Sequence, residues 1–206
     1  RPAHPELFKP SKALDKRFWL VSDRQAMTTD RSWALDFVIK EEPGSRKGKY
    51  GPEWYDHTAR VRVTMAAEPK TLVTHGVSGI ELGKQVSRTF DPLGMLIARR
   101  SGVRQTVFVG THEPYANTAR PQISAVTTLA QSDRAVLVRL DAGDYTDYAA
   151  VSFGPQPGKP EHALAAADDP KTRVAFKDYG YLRVRKDGTV LARGGWTGFS
   201  LPSAKA

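Results

Sequence analysis

Apolar and polar positions alternate along most of this chain. Trp33, Leu35, Phe37 and Ile39 fall on one side of a period-two pattern, with Asp36 and Lys40 on the other. Ala59, Val61, Val63 and Met65 alternate with Arg60, Arg62 and Thr64. Val136, Val138 and Leu140 alternate with Leu137 and Arg139, and Leu182 and Val184 with Tyr181, Arg183 and Arg185. Around Val107 and Val109 both faces are partly apolar, because Thr106 and Phe108 intervene. Short β-branched runs of this kind, bounded by turn residues, predict half-buried antiparallel strands.

The turn residues agree. Lys186-Asp187-Gly188-Thr189 lies between two strand-like runs and predicts a hairpin whose central Asp-Gly tolerates positive φ. Gly76, Gly79 and Gly83 punctuate a looser region, and Pro155, Pro157, Gly158 and Pro160 predict a loop after Phe153. Residues 41–54, EEPGSRKGKYGPEW, read as a long surface loop in which Pro43-Gly44 stops the preceding strand. Only residues 161–168, EHALAAAD, are helix-like, and so short a helix is marginal alone. Strands in series without intervening helices predict an all-β fold, an antiparallel β-sandwich of about ten to twelve strands with little helix. Residues 1–16, rich in proline and charge, are expected to be an N-terminal tether, 17–201 a single β-sandwich domain and 202–206 a tail.

Composition narrows the function classes. At 206 residues the chain can bury a core without covalent staples. With no cysteine, disulfides and thiolate metal sites are excluded. No apolar run approaches the roughly 20 residues of a membrane-spanning helix, and no membrane partner is expected. The N-terminus begins with Arg1 and lacks the apolar core of a signal peptide, so the chain reads as a processed product or a fragment of a longer one. Lys and Arg total 31 against 22 Asp and Glu, a net charge of +9 that favours a polyanionic partner. The positive residues are spread along strands, so a solvated basic surface is the competing account. RRM and zinc-finger patterns are absent, and nucleic acid is not expected as the partner. GxSxG, Walker, HExxH and dinucleotide fingerprints are absent too.

His112-Glu113-Pro114-Tyr115 is the densest set of chemically capable side chains. Elimination from a uronate needs a base for the proton next to the carboxylate, an acid for the leaving oxygen and a group that neutralises the carboxylate. His112 and Tyr115 are candidates for the first two roles. On a strand, however, His112 and Pro114 face one way and Glu113 and Tyr115 the other. The structural alternative is a strand end where Glu113 binds turn amides and Tyr115 lies at the sheet edge. A metal at Asp56, His57 and His75 requires residues 59–65 to pair with 71–75; no ligand spacing supports it, and neither metal nor cofactor is expected.

Arg60 and Arg62 share a strand face and suit bidentate binding of sulfate or carboxylate. Arg99, Arg100, Arg183 and Arg185 are placed similarly, and a solvated outer face is the plainer account for any one pair. Trp54, Tyr55, Tyr145, Tyr148 and Trp196 fall in or beside predicted loops as sugar-stacking platforms, against the alternative of rings folded over the sheet edge. The candidate substrate contacts are therefore Arg60, Arg62, Trp54, Tyr55 and Trp196. Trp33 reads as core, since it shares its face with Leu35, Phe37 and Ile39.

Four segments carry a resemblance to a known family: RVRVTMAAEPKTLVTHG, LIARRSGVRQTVFVGTHEPY with PQI, DYAAVSFGP, and YLRVRKDGTVLARG. An arginine pair before a strand that ends in Glu-Pro-Tyr, a later Val-Ser-aromatic-Gly strand and a Gly-bearing hairpin resemble the C-terminal β-domain of heparinase II/III-like polysaccharide lyases. The resemblance implies a stack of antiparallel sheets that accompanies an N-terminal helical toroid, cleavage of acidic polysaccharide by β-elimination, and a periplasmic or extracellular bacterial location. The family's Tyr, His and Asn catalytic groups come mainly from the toroid and the first β-domain strands, which have no counterpart here, so no catalytic residue is carried over. The expectation is a non-catalytic C-terminal β-sandwich, inactive alone, whose partners are acidic polysaccharide and a helical toroid of the same protein. The alternatives are a free-standing carbohydrate-binding module for acidic glycans and a complete small lyase using His112 and Tyr115.

Overall fold

The structure is a computed structural model that describes residues 9–10, 21–28, 30–38, 59–78, 93–116, 119–153 and 161–201. Among these residues there is no helix, and every strand pair is antiparallel. Strands β1 (Lys9–Pro10), β2 (Val21–Thr28), β5 (Thr71–Ser78) and β6 (Leu93–Arg100) form a four-stranded sheet in the order β1-β2-β5-β6. Strands β3 (Trp33–Val38), β4 (Ala59–Met65) and β7 (Gly110–Ala116) form a three-stranded sheet with β4 in the middle. The rest form a six-stranded sheet: β8 (Ile123–Gln131), β9 (Ala135–Ala142), β10 (Tyr145–Ser152), β11 (His162–Ala165), β12 (Arg173–Arg185) and β13 (Val190–Ser200). The expected all-β antiparallel architecture is therefore present, with twelve strands besides the two-residue β1 among the described residues.

The first two sheets meet face to face. Trp33 and Leu35 of β3 pack on Met27 of β2 and Val73 of β5, with Phe37, Met65 and Leu96 around them. Leu35 and Val73 are completely buried, and Trp33 is core as its strand face predicts. The other side of the three-stranded sheet is apolar only at one end. There Ala66 and Val109, joined by a 2.9 Å hydrogen bond from the Ala66 amide to the Val109 carbonyl, contact Val126, Val136 and Val138 of the six-stranded sheet.

Residues on β9 split between two cores. Val136 and Val138 face that junction, while Ala135 and Leu137 face a larger cluster with Tyr148, Ala150, Val174, Phe176 and Leu182. The six-stranded sheet curls around this larger cluster. Past β11, the Ala167 amide donates to the Leu129 carbonyl of β8 at 3.2 Å, tying β11 towards the opposite edge of the sheet. A sheet twisted this far buries one face on itself, as a barrel does.

Several local expectations change. Residues 161–168 are not helical: His162–Ala165 is β11, paired with β12. Leu164 packs against the large core while Ala163 and Ala165 are exposed, so burial of alternate residues overrides the helix preference of the alanines. The strand carrying His112 starts at Gly110, not at Thr106. The β12–β13 hairpin forms as expected, but only Gly188 takes positive φ (82°). The Gly188 amide donates to the Arg185 carbonyl at 3.0 Å and the Arg185 amide to the Thr189 carbonyl at 2.9 Å. This is a three-residue loop closed by a glycine, not a two-residue turn with both residues left-handed. Tyr148, expected near a loop, lies in the large core at 8% exposure. Strand β4 pairs with β3 and β7, and β5 with β2 and β6, so the pairing that would bring His75 beside residues 59–65 does not occur. Residues 41–54, Asp56, His57 and the 155–160 loop lie outside the described residues.

Gly180 of β12 is the point of closest approach in the large core. A Cβ there would fall 2.3–2.5 Å from Trp196 ring atoms. Gly180→Ala is therefore expected to push Trp196 off Phe176, which it meets edge-on at 6.0 Å. The cost is about 1–3 kcal/mol of overpacking. Chemical denaturation checks the cost, and a changed near-ultraviolet circular dichroism spectrum reports the displaced indole.

Candidate ligand-binding face

The register of the three-stranded sheet builds one polar face. Asp36 pairs with Arg62 and Arg62 with Glu113; Val38 pairs with Arg60 and Arg60 with Tyr115. Period two sends the Asp36, Arg60, Arg62, Glu113 and Tyr115 side chains away from the Trp33–Leu35 core. Opposite charges on neighbouring strands then stand directly across from each other. The Arg62 Nε and Nη2 donate to the two Asp36 carboxylate oxygens, both at 2.8 Å, in a fork that fixes both side chains.

Electrostatics follow from that fork. Burial alone pushes the Asp36 carboxyl up, but hydrogen bonds from Arg62 and then Tyr115 outweigh it and hold the group below its usual range. The hydrogen bond to Asp36 likewise raises Arg62. The Tyr115 phenol is raised by burial first, then by its hydrogen bond to Asp36, with Arg60 acting in the opposite direction. Glu113 accepts hydrogen bonds from the Gln122 amide at 2.5 Å and the Ile123 amide at 3.1 Å, so it ties β7 to the start of β8.

Arg60 is different. Among the described residues it has no carboxylate partner, and its buried Nε has no acceptor. The buried hydroxyls of Thr64 and Thr111, on the same face, also have no hydrogen-bond partner. Buried polar atoms are nearly always paired. The two threonines lie at the end of the face that meets the six-stranded sheet, so Arg60 and the Tyr115 phenol across from it are the groups left for a polar ligand.

Because Asp36 has a folded-state pKa below its reference value of 3.8, it binds its proton less readily in the native state than in the unfolded chain. Its contribution to stability is therefore full above the unfolded carboxylate pKa and disappears as pH falls through the lowered folded value. Asp36→Asn is expected to be less stable than the parent at pH 7, with the gap narrowing as pH falls below the carboxylate's reference value of 3.8 and through the lowered folded value. Thermal melts across pH check this.

The other sequence-predicted positions are distributed as follows. His112 is exposed and alternates with Glu113 and Tyr115, so it points to the opposite side of β7 from Tyr115. His75 lies on β5, in a different sheet, with burial lowering its pKa. Among the described residues no group of His, Asp and Glu could hold a metal ion. Arg100 is spent internally: its Nε donates to Thr71 Oγ1 at 3.1 Å, its Nη1 to Thr106 Oγ1, and its Nη2 lies 2.8 Å from Glu68. Its guanidinium also sits 5.1 Å from the Phe108 ring centre, so the arginine pair contributes one structural residue and one exposed one, Arg99. Trp196 is on β13 of the six-stranded sheet, half-buried over Gly180, with its indole N–H donated to the Tyr181 carbonyl at 3.1 Å. It does not share the Arg60 face. Trp54 and Tyr55 lie outside the described residues. Asp36 was not singled out from sequence, although its place on the polar side of its strand is the signal that marks it as a cross-strand partner.

The described residues form an all-β assembly of three antiparallel sheets, with a cation-and-tyrosine face on the smallest one. No protein-family model, curated protein or solved structure matches this chain.

Proposed function

We propose that this chain is a non-catalytic β-sandwich module that binds acidic polysaccharide, the C-terminal β part of a heparinase II/III-type lyase working outside the cytoplasm. The observation that carries the binding role is Arg60: an arginine that has no carboxylate partner among the described residues and stands directly across from the Tyr115 phenol. A uronate carboxylate or sulfate at that point gains a charge-assisted hydrogen bond and a phenolic partner. The lyase parentage rests on the sequence resemblance.

The same geometry argues against His112 and Tyr115 acting together as a reaction centre. The Tyr115 phenol is raised, so it keeps its proton at neutral pH and is a poor base. His112 faces away from it. Two groups on opposite sides of one strand do not serve the same sugar ring.

Arg60→Ala is expected to weaken binding of heparin or alginate about tenfold, the loss of one charge-assisted hydrogen bond worth roughly 1.5 kcal/mol. Arg62→Ala removes the partner of Asp36 and so is expected to show first as lost stability. Calorimetric titration of the two variants checks the division of roles. An Arg60→Ala protein that binds as the parent does would refute the assignment of Arg60.

A further inference from the structure

The outer face of the six-stranded sheet carries a second feature. Tyr145, Asp147, Ala149 and Val151 of β10 pair with Arg185, Arg183, Tyr181 and Tyr179 of β12. On the far side of β12, Tyr181 pairs with Arg193 and Arg183 with Leu191 of β13. All these positions alternate with the core residues Tyr148, Ala150 and Leu182, so they share the face turned away from the large core.

The centre of the face is rigid. Arg183 Nε and Nη2 reach the two Asp147 oxygens, both at 2.8 Å. Its guanidinium lies 3.6 Å from the Tyr145 ring centre and 5.9 Å from that of Tyr181. The Tyr181 phenol is hydrogen-bonded to Asp147 as well. Arg183 is thus a spacer that fixes two tyrosines and has no charge left over for a ligand. Around this centre the surface is open and mixed in character. Tyr179 is 57% exposed, and Val151 beside it and Leu191 are each 46% exposed. Arg185 and Arg193 have no ion pair among the described residues.

We propose that this face is a second subsite for an acidic glycan, with pyranose rings stacked on Tyr179 and Tyr181 and a uronate carboxylate or sulfate held by Arg193. The inference goes beyond the Arg60 face and rests on the same acidic-glycan reading. A pyranose offers an apolar CH-rich face, which an exposed phenol ring with only two side-chain torsions buries at little entropic cost. Its hydroxyl edge and anionic substituent suit tyrosine hydroxyls and an unpaired guanidinium. A nucleic-acid strand also stacks on aromatics, but it needs cations that track its backbone. Here the unpaired cations stand at the rim, and the centre holds a neutralised pair. Tyr145 connects the two faces: its hydroxyl is 3.5 Å from the Gln122 side-chain oxygen, and the Gln122 amide donates to Glu113 beside Arg62.

The test uses the whole chain in calorimetric titrations with heparin, with alginate and with a single-stranded oligothymidine. The proteins are the parent, Tyr179→Ala, Arg193→Gln, their double variant and Arg60→Ala. Tyr179 and Arg193 are exposed and outside every core cluster, so melting temperatures are expected to stay unchanged. The double variant is expected to bind both polysaccharides about tenfold more weakly, and to lose affinity further when combined with Arg60→Ala. Parent-like affinity of the double variant, with loss confined to Arg60→Ala, overturns the second subsite and leaves the proposed function standing. Loss confined to the Tyr179 and Arg193 variants overturns the Arg60 site and upholds this one. Absence of binding by the parent overturns both, and tighter binding of oligothymidine than of heparin overturns the glycan assignment.

Discussion

Phe176→Ala is expected to lower the free energy of unfolding by about 3–5 kcal/mol, the range for truncating a buried phenylalanine. Phe176 is completely buried on β12, where β11 and β13 pair from either side. Its ring lies 5.5 Å from that of His162 and 6.0 Å from that of Trp196. Alanine removes the one side chain that these neighbours share, and a paired sheet cannot collapse to refill the space. Domains are stable by only about 5–15 kcal/mol, so much of the total is at stake. Urea denaturation gives the value. A loss below 1 kcal/mol would mean that the curled sheet does not close around Phe176.

Leu35→Ala is expected to cost about 2–5 kcal/mol by the same reasoning in the other core. Leu35 is completely buried between the three- and four-stranded sheets. The two clusters have no residue in common. Their costs are therefore expected to add within about 0.5 kcal/mol in the double variant, provided unfolding remains two-state. Leu35 also precedes Asp36, which anchors Arg62. Loss of the Leu35 core is thus expected to weaken polysaccharide binding at the Arg60 face, whereas Phe176→Ala acts in a separate cluster. Denaturation curves of the single and double variants check additivity, and strong non-additivity would show that the two cores are one.

Local alternation made much of the fold legible. Trp33 and Leu35 on one side and Arg60 and Arg62 on another follow from period two alone, as does the split of His112 from Tyr115. The Asp187-Gly188 hairpin was legible because its turn chemistry is confined to four residues. Glu113 accepts backbone amide hydrogen bonds as the strand-end reading implied, but from mid-strand in β7 and from Gln122 and Ile123 where β8 begins.

What sequence left dark was non-local. Asp36 and Arg62 are 26 residues apart, and Asp147 and Arg183 are 36 apart, so neither pair exists until the register is known. The choice of β3 and β7 as the neighbours of β4 is of the same kind. Local propensity misled at residues 161–168, where four alanines favour helix and only pairing with β12 makes a strand. Composition misled at Arg100, which looks like half of a surface arginine pair and is held by Thr71, Thr106 and Glu68.

The most direct trial is to titrate heparin and alginate into the whole chain at low and high salt, following heat and the absorbance of an unsaturated uronate in the same samples. The account predicts saturable binding that weakens as salt screens the arginines, with no rise in absorbance. A growing unsaturated product, or no heat of binding even at low salt, would contradict it.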